Sequence, residues 1–389
     1  MFSNRTNWKL TRNRLTEALE EAKATGSRIL DLTLSNPTRA ELHYNEQQIL
    51  ESLSSPRSLD YDPQPKGLLA ARAAVSAYYA IQHSTPLDQE RLILTTSTSE
   101  GYSFVFRLLC NPGEEILVPK PSYPLFEFLA DLSDVNLVPY PLLYDYGWQI
   151  DFPSLQRAIT GRTRAVVVVH PNNPTGSFVH REEQEELNRI CRKHHLAIVA
   201  DEVFIDYAHD KAPHQTFAAN QEVLTFTLSG VSKISALPQM KVAWIATSGP
   251  TAEVESAQSR LEIIADTFLS MNAPVQWATP LLVEQRKEIQ RQLLDRVLAN
   301  LADLDRQLAA QKSCQRLAVE GGWYAILRVP VTQTDEELAV NLLRSKNVLV
   351  HPGHFYDFPS DGYLVLSLIT PEADFSAGVR SILKRLNGQ

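Results

Sequence analysis

The sequence predicts an α/β protein in which a large three-layer α/β/α domain with a mainly parallel sheet is joined to a smaller α/β C-terminal domain. Short apolar runs rich in β-branched residues, such as residues 164–170, alternate with amphipathic helical patterns up to about residue 250. Such runs are typical of strands that are buried on both faces of a parallel sheet. Two long helical patterns and several short strands then follow, and a chain of 389 residues is long enough for two domains.

The elements follow from hydrophobic spacing, taken in chain order. Residues 8–24 carry apolar side chains at helical spacing and stop at Gly26, which is a common helix end. The predicted strands are residues 30–34, 91–95, 115–119, 135–140, 164–170, 196–200, 223–228, 242–247, 321–329, 348–351 and 363–367. The other predicted helices are residues 68–82, 102–109, 125–132, 152–159, 182–194, 252–268, 280–311, 336–345 and 373–386. We therefore predict a large domain over residues 42–285 and a small one over 1–41 and 286–389.

Composition limits the partners that the protein can have. The chain has 37 basic and 45 acidic residues, and the resulting charge of −8 argues against nucleic acid as a partner. No apolar run approaches the roughly 18 residues that a membrane span needs, and the N-terminus lacks the apolar core of a secretory signal. The three cysteines are widely spaced. They indicate reduced thiols in a cytoplasmic protein, with no metal site.

Polar residues follow four of the predicted strands. Hydroxyl residues 97–99 come after the strand at 91–95, and Asn173, Asp201 and Lys233 come after three later strands. Ligands of parallel sheets bind at the carboxyl ends of the strands, so these positions form a candidate site. Each also has a structural explanation. Residues 97–99 and Asp201 could cap helices, and Asn173 lies in a turn-forming Asn-Pro-Thr-Gly sequence.

Lys233 is the residue around which this site would be organised. It lies among small and apolar residues between two strand-like runs. An amine that loses hydration has a lowered pKa and can attack a carbonyl, as a Schiff-base lysine does. If the carbonyl belongs to an aromatic aldehyde cofactor, Asp201 is the candidate carboxylate for keeping the ring nitrogen protonated. The alternative is a loop between buried strands with lysines at its rim.

In combination and in order, these sequences resemble the class I and II aminotransferases, which use pyridoxal 5′-phosphate and have the aspartate aminotransferase fold. The resemblance is carried by Pro-Ser-Tyr-Pro at Tyr123, Asn-Pro-Thr-Gly at Asn173, Asp-Glu-Val-Phe at Asp201 and Ser-Gly-Val-Ser-Lys at Lys233. It implies an enzyme that moves an amino group between an amino donor and a 2-oxo acid. The cofactor would be attached to Lys233 as an aldimine.

The resemblance also implies a role for each site residue. Lys233 would be catalytic, Asp201 would pair with the pyridine nitrogen, Asn173 would bind the ring hydroxyl and Tyr123 would stack on the ring. Tyr61 would reach the phosphate in a neighbouring subunit, which implies a homodimer. The residues that would hold the phosphate are Thr98, Ser99, Ser232 and Lys241.

The chain departs from the family pattern at several positions. Phe204 and Lys241 stand where relatives carry a tyrosine and an arginine. Val365 stands where they carry the arginine that binds the substrate carboxylate, and His351 or His354 could contribute in its place. The alternatives are therefore another pyridoxal-phosphate-dependent reaction (lyase, racemase or decarboxylase), transamination of an unusual amine, or a non-enzymatic regulator. Nucleotide-binding glycine loops and metal-binding Cys/His spacings are absent from the sequence.

Overall fold

The computed structural model describes residues 1–8, 12–210 and 214–388. The first predicted helix includes residues 9–11, which lie outside the described residues. The helices are α1 Arg14–Ala24, α2 Glu46–Ser52, α3 Leu69–Gln82, α4 Thr98–Leu109, α5 Leu125–Leu132, α6 Phe152–Ala158, α7 Arg181–His194, α8 Val231–Ile234, α9 Thr251–Phe268, α10 Ala273–Glu284, α11 Arg286–Ala309, α12 Asp335–Lys346 and α13 Glu372–Leu386. The strands are β1 Leu30–Asp31, β2 Leu92–Thr95, β3 Glu115–Lys120, β4 Asn136–Tyr144, β5 Trp148–Ile150, β6 Thr163–Val169, β7 Ala197–Asp201, β8 Thr225–Gly230, β9 Ala243–Ser248, β10 Gln315–Arg316, β11 Tyr324–Arg328, β12 Val348–Leu349, β13 His351–Pro352 and β14 Tyr363–Ser367.

An eight-stranded, mainly parallel sheet forms the centre of the large unit, as predicted. Its strand order is β2-β9-β8-β7-β6-β3-β4-β5, and only β9 and β5 run antiparallel to their neighbours. Alternate residues of each strand pack on opposite faces. Val167 packs with Phe106 of α4 on one face, while Val166 packs with Leu187 of α7 on the other. The fold class predicted from the sequence is therefore confirmed.

The smaller unit is built on a four-stranded antiparallel sheet in the order β10-β11-β14-β13. Helices α11, α12 and α13 pack on it, and its core also contains Leu15 and Ala18 of α1. β1 pairs with β12, which ties the N-terminal segment to the C-terminal one. This packing supports the proposed division into residues 42–285 and residues 1–41 with 286–389.

Several elements differ from the sequence prediction, which did not include α2, α8 or β10. The helix predicted at 280–311 is two helices, α10 and α11, which meet at Gln285. The short β5 was not predicted, because it is only three residues long and lies between a turn and the next helix. β9 is antiparallel, since β8 and β9 are joined by a short connection and not by a crossover helix. No helix among the described residues is long and apolar enough to cross a membrane.

Candidate active site

The register of the large sheet brings the predicted polar residues to one edge. Thr95 at the end of β2 and Gly230 at the end of β8 are both paired with Ala243 at the start of β9. Asp201 ends β7 beside Val169, the last residue of β6. The loops that follow β2, β8, β7, β6 and β3 therefore open at the same edge, in that spatial order. A ligand lying along this edge can contact all of them.

Hydroxyl and amine groups gather at the β2–β9–β8 end of this edge. Ser97 caps α4 by accepting a hydrogen bond from the Glu100 backbone, and Thr98 and Ser99 are the first two residues of that helix. Ser232 lies in α8, directly after β8. The first N–H groups of a helix and its positive dipole end favour an anion. The arrangement suits a phosphate group.

Lys241 lies two residues before β9, the strand that pairs with both β2 and β8. It is exposed and adopts a left-handed conformation with φ of 55°, at the end of a 3₁₀ turn formed by Pro238–Met240. The turn directs the chain back into the sheet at the level of Ser232. The lysine supplies a point charge and not the two-pronged contact of an arginine.

Lys233 is fixed by its backbone and left free at its amine. Its carbonyl accepts a 2.6 Å hydrogen bond from the Tyr207 hydroxyl. Its Nζ lies 5.0 Å from the ring centroid of Trp323 and 5.5 Å from that of Phe204, and makes no hydrogen bond to any described residue. Desolvation lowers the pKa of the amine to about 8, although the nearby Asp201 charge raises it. About a tenth of the lysine is therefore uncharged at pH 7, far more than for a solvated lysine.

Asp201 is a buried carboxylate held from two sides. Its Oδ1 accepts a hydrogen bond from the Val203 backbone at 3.2 Å, and its Oδ2 accepts one from the Tyr102 hydroxyl at 3.1 Å. Burial raises the pKa of Asp201 to about 6, while the two donors and Lys233 lower it. Such a group binds a protonated ring nitrogen well, because the pairing offsets the cost of burying its charge.

Asn173 and Tyr123 complete the ring end of the site. The Asn173 side chain is buried, its Oδ1 has no partner, and its amide makes no hydrogen bond within the described part of the chain. A buried amide in this state costs stability unless a ligand satisfies it. Tyr123 is about half exposed, at 47%.

The residues present therefore fit pyridoxal phosphate. The unsatisfied Asn173 amide suits a ring oxygen, Asp201 suits a ring nitrogen and Lys233 suits an aldehyde. The hydroxyls at the N-terminus of α4 suit the phosphate. Among the described residues no cluster of side chains could hold a metal ion.

Tyr61 is the one predicted residue that lies apart from the others. It is 83% exposed and lies on the loop before α3, in a groove that Trp277 and Met271 also line. Leu59, on the same loop, is 90% exposed. No described residue covers these side chains.

Sequence reasoning missed several residues of the site. Tyr102 lies in α4, 99 residues before its partner Asp201, and Trp323 reaches Lys233 from the small unit. In the sequence each lies within an ordinary predicted element, the helix at 102–109 and the strand at 321–329. The two glycines before Trp323 are the local sequence signal that this segment packs closely against the large unit. Gly321 has no room for a side chain between Phe178 and the Tyr207 carbonyl.

Comparison with known proteins gives one consistent result. Residues 28–374 match the family model "Aminotransferase class I and II". The chain is 29% identical over 377 residues to the alanine aminotransferase of Mycobacterium tuberculosis, covering 92% of this chain and 86% of that one. It is 28% identical over 354 residues to the glutamate-pyruvate aminotransferase AlaA of Haemophilus influenzae, covering 88% and 87%. The structure of an alanine aminotransferase from Pyrococcus furiosus superposes with a TM-score of 0.91 at 19% identity, over the whole of both chains.

Proposed function

The chain belongs to the class I and II aminotransferase family and is a pyridoxal-phosphate-dependent aminotransferase, and from this premise we propose that it exchanges an amino group between alanine or glutamate and a 2-oxo acid such as pyruvate. The two relatives named for alanine and for glutamate-pyruvate transamination support these substrates. The observation that carries the proposal is the pairing at one sheet edge of Lys233, whose pKa is lowered to about 8, with the buried Asp201.

Different residues are proposed to bind different parts of the cofactor. We assign the phosphate to Thr98, Ser99, Ser232 and Lys241. Asn173 would donate to the ring hydroxyl, Tyr123 would cover the ring and Asp201 would hold the proton on the ring nitrogen. Phe204 contributes only an apolar surface, so one hydrogen bond to the ring hydroxyl that relatives make is missing here.

Lys233 is the residue that attaches the cofactor and moves the proton. When bound, pyridoxal phosphate supplies a reactive aldehyde carbon and an electron-accepting ring that stabilises negative charge at the substrate Cα. Lys233 Nζ would accept the Cα proton, because desolvation lowers the pKa of its amine to about 8. Asp201 stabilises the protonated ring nitrogen throughout, and the apolar faces of Trp323 and Phe204 keep water away from Nζ.

The proposed active unit is a homodimer. The exposed Tyr61 and Leu59 and the groove beside Trp277 supply an apolar surface that a second copy can cover. In this arrangement Tyr61 reaches the phosphate of the partner's cofactor. The free cysteines Cys110, Cys191 and Cys314 support a reducing, cytoplasmic location.

An absorption spectrum of the purified protein with pyridoxal phosphate tests the function. We expect a yellow band that bleaches with L-alanine or L-glutamate and returns with pyruvate, and its loss in Lys233→Ala. Lys241→Ala is the matched lysine control, which should weaken cofactor affinity but keep the band at saturating cofactor. A band that no amino acid bleaches, or full activity in Lys233→Ala, would contradict the proposal. Light scattering of the same sample measures the dimer.

A further inference from the structure

The small unit carries an apolar residue where the family pattern places a guanidinium. Val365 of β14 is 1% exposed, and its cross-strand partners are Ile326 of β11 and His351 of β13. Side chains directly opposite in antiparallel strands project from the same face of the sheet. Of these two partners only His351 can carry a positive charge. An imidazole therefore lies beside the position of the missing arginine.

This face of the small sheet is turned toward Lys233. Tyr324 lies two residues before Ile326 on the same strand and so projects from the same face. The Tyr324 ring centroid is 6.4 Å from that of Phe204, the residue whose ring lies next to the Lys233 amine. Val365 and His351 therefore border the space beside the Lys233 amine in which a substrate would lie.

His351 is oriented by Tyr356. The Tyr356 hydroxyl is 3.1 Å from His351 Nδ1, and the Tyr356 carbonyl accepts a 3.0 Å hydrogen bond from the backbone of Ser122, next to Tyr123. Burial holds the pKa of the Tyr356 phenol well above its usual value, so the hydroxyl keeps its proton and can donate it to Nδ1. When Nδ1 accepts this hydrogen bond, the ring proton is on Nε2. Nε2 makes no hydrogen bond to the described residues and is the free donor of this pair.

Few charges surround the imidazole. Burial lowers the pKa of His351, and the nearby Asp31 of β1 opposes this by favouring the charged form. The groups that face it from the other packed elements are the Tyr356 hydroxyl, the Phe355 ring and the Val365 side chain. An anion placed at Nε2 would favour the imidazolium, so its binding would take up a proton.

We propose that His351 binds the α-carboxylate of the substrate through Nε2, in place of the arginine. This deepens, and rests on, the proposed function, because it names the contact that recognises an α-amino or 2-oxo acid. An imidazole gives one hydrogen bond to a carboxylate where a guanidinium gives two. Carboxylate binding in this chain is therefore weaker and, unlike that of an arginine site, depends on pH.

Arg328 is the rival cation on the same face. It is paired with Tyr363, two residues along the strand from the pair of Ile326 and Val365 and farther from Tyr324. Its guanidinium is 5.7 Å from the ring centroid of Tyr144 and 6.0 Å from that of Tyr363. It therefore stacks at the outer end of the sheet and not beside Val365.

Binding of propionate to the holoenzyme tests the proposal without relying on turnover. Propionate has the carboxylate but no amine, and propionamide is its uncharged analogue. We expect His351→Gln to weaken propionate about tenfold or more at pH 6.5, the magnitude of a lost charge-assisted hydrogen bond, and to leave propionamide unchanged. The controls are His354→Gln, an exposed histidine three residues away, and Arg328→Gln. Both should bind propionate as the wild type does.

The pH dependence of propionate affinity provides a second test. Wild-type affinity for propionate should fall as pH rises, by up to tenfold per unit, because the proton taken up becomes scarcer. His351→Arg should bind propionate at least as tightly as the wild type, since a guanidinium makes two hydrogen bonds, and should lose that slope. A proton taken up near Lys233 would give the same slope in both proteins. The difference in slope between them therefore reports on His351.

Two results would overturn the inference: wild-type affinity and slope in His351→Gln, or loss of propionate binding in Arg328→Gln alone. Failure of the proposed function is separate. It would show as a wild-type spectrum that no amino acid bleaches, whatever the affinity for propionate.

Discussion

Tyr102→Phe isolates the hydrogen bond that supports the buried Asp201. The change removes one hydroxyl from a side chain that is 1% exposed and leaves its ring, which packs against Phe106 and Phe126, in place. Asp201 Oδ2 loses its donor at 3.1 Å, while Oδ1 keeps the Val203 backbone N–H. Any effect therefore reports on the carboxylate and not on packing.

The expected size follows from the two protonation states of Asp201. A hydrogen bond to a charged carboxylate contributes about 1.5–3 kcal/mol and one to a neutral acid about 0.5–1.5 kcal/mol. The difference, about 1–1.5 kcal/mol, corresponds to roughly one pKa unit. Since the folded pKa of Asp201 is about 6, above its usual 3.8, the folded state loses stability as pH rises between these values. In Tyr102→Phe this loss should continue to about pH 7.

The assay is the thermal midpoint of the cofactor-free protein at pH 5 and pH 8, at one protein concentration. The variant should lose about 1 kcal/mol at pH 5 and about 2 kcal/mol at pH 8. The infrared band of the protonated Asp201 carboxyl, identified by its absence in Asp201→Asn, should persist to higher pH in the variant. An equal loss at both pH values, or an unshifted band, would refute the argument that the hydroxyl stabilises the charged carboxylate.

Three further changes test other parts of the site and sheet. Val365→Arg should raise kcat/KM for alanine about tenfold, because a guanidinium holds a carboxylate by two hydrogen bonds; an unchanged value would mean that the carboxylate does not bind beside Val365. Lys241→Arg should lower the Kd for pyridoxal phosphate, measured by fluorescence quenching, whereas equal or weaker binding would argue against a phosphate at Lys241. Gly230→Ala should lower the thermal midpoint by the equivalent of about 1–3 kcal/mol, since its Cβ would lie 2.7 Å from the Val242 carbonyl. Gly147→Ala, with open space around it, is the control and should melt as the wild type does.

Much of the large unit could be predicted from the sequence because its strands are continuous apolar runs. The strand β6 is seven residues long and almost wholly buried, so it has a strong local signal. The direction of β9 has no signal within the strand, because a strand's residues are the same whichever way it runs. Only the short connection from β8 bears on it. The break at Gln285 between α10 and α11 also has none, since no glycine or proline marks it and Pro280 lies inside α10.

The candidate site was predicted only as far as each residue has its own local pattern. Asp201 and Lys233 follow strands and could be chosen from sequence. Tyr102 could not, because its role depends on a contact with a residue 99 positions away. His351 became a specific candidate only when the register placed it opposite Val365. Pairings between distant segments are set by tertiary packing, which a local pattern does not contain.

The long helix α11 has a mechanical consequence for the enzyme. Near its start, Gln290 donates to the buried Asp206 carboxylate at 2.6 Å and to the Ile234 carbonyl, next to Lys233, at 2.8 Å. From Leu293 onward the helix packs in the core of the small unit. The start of this 24-residue helix is therefore anchored beside the reactive lysine, and the rest of it belongs to the small unit. If the small unit rotates about a hinge, either the helix must bend near Gln290 or these two hydrogen bonds must break. Rotation of the small unit is therefore coupled to the position of Lys233.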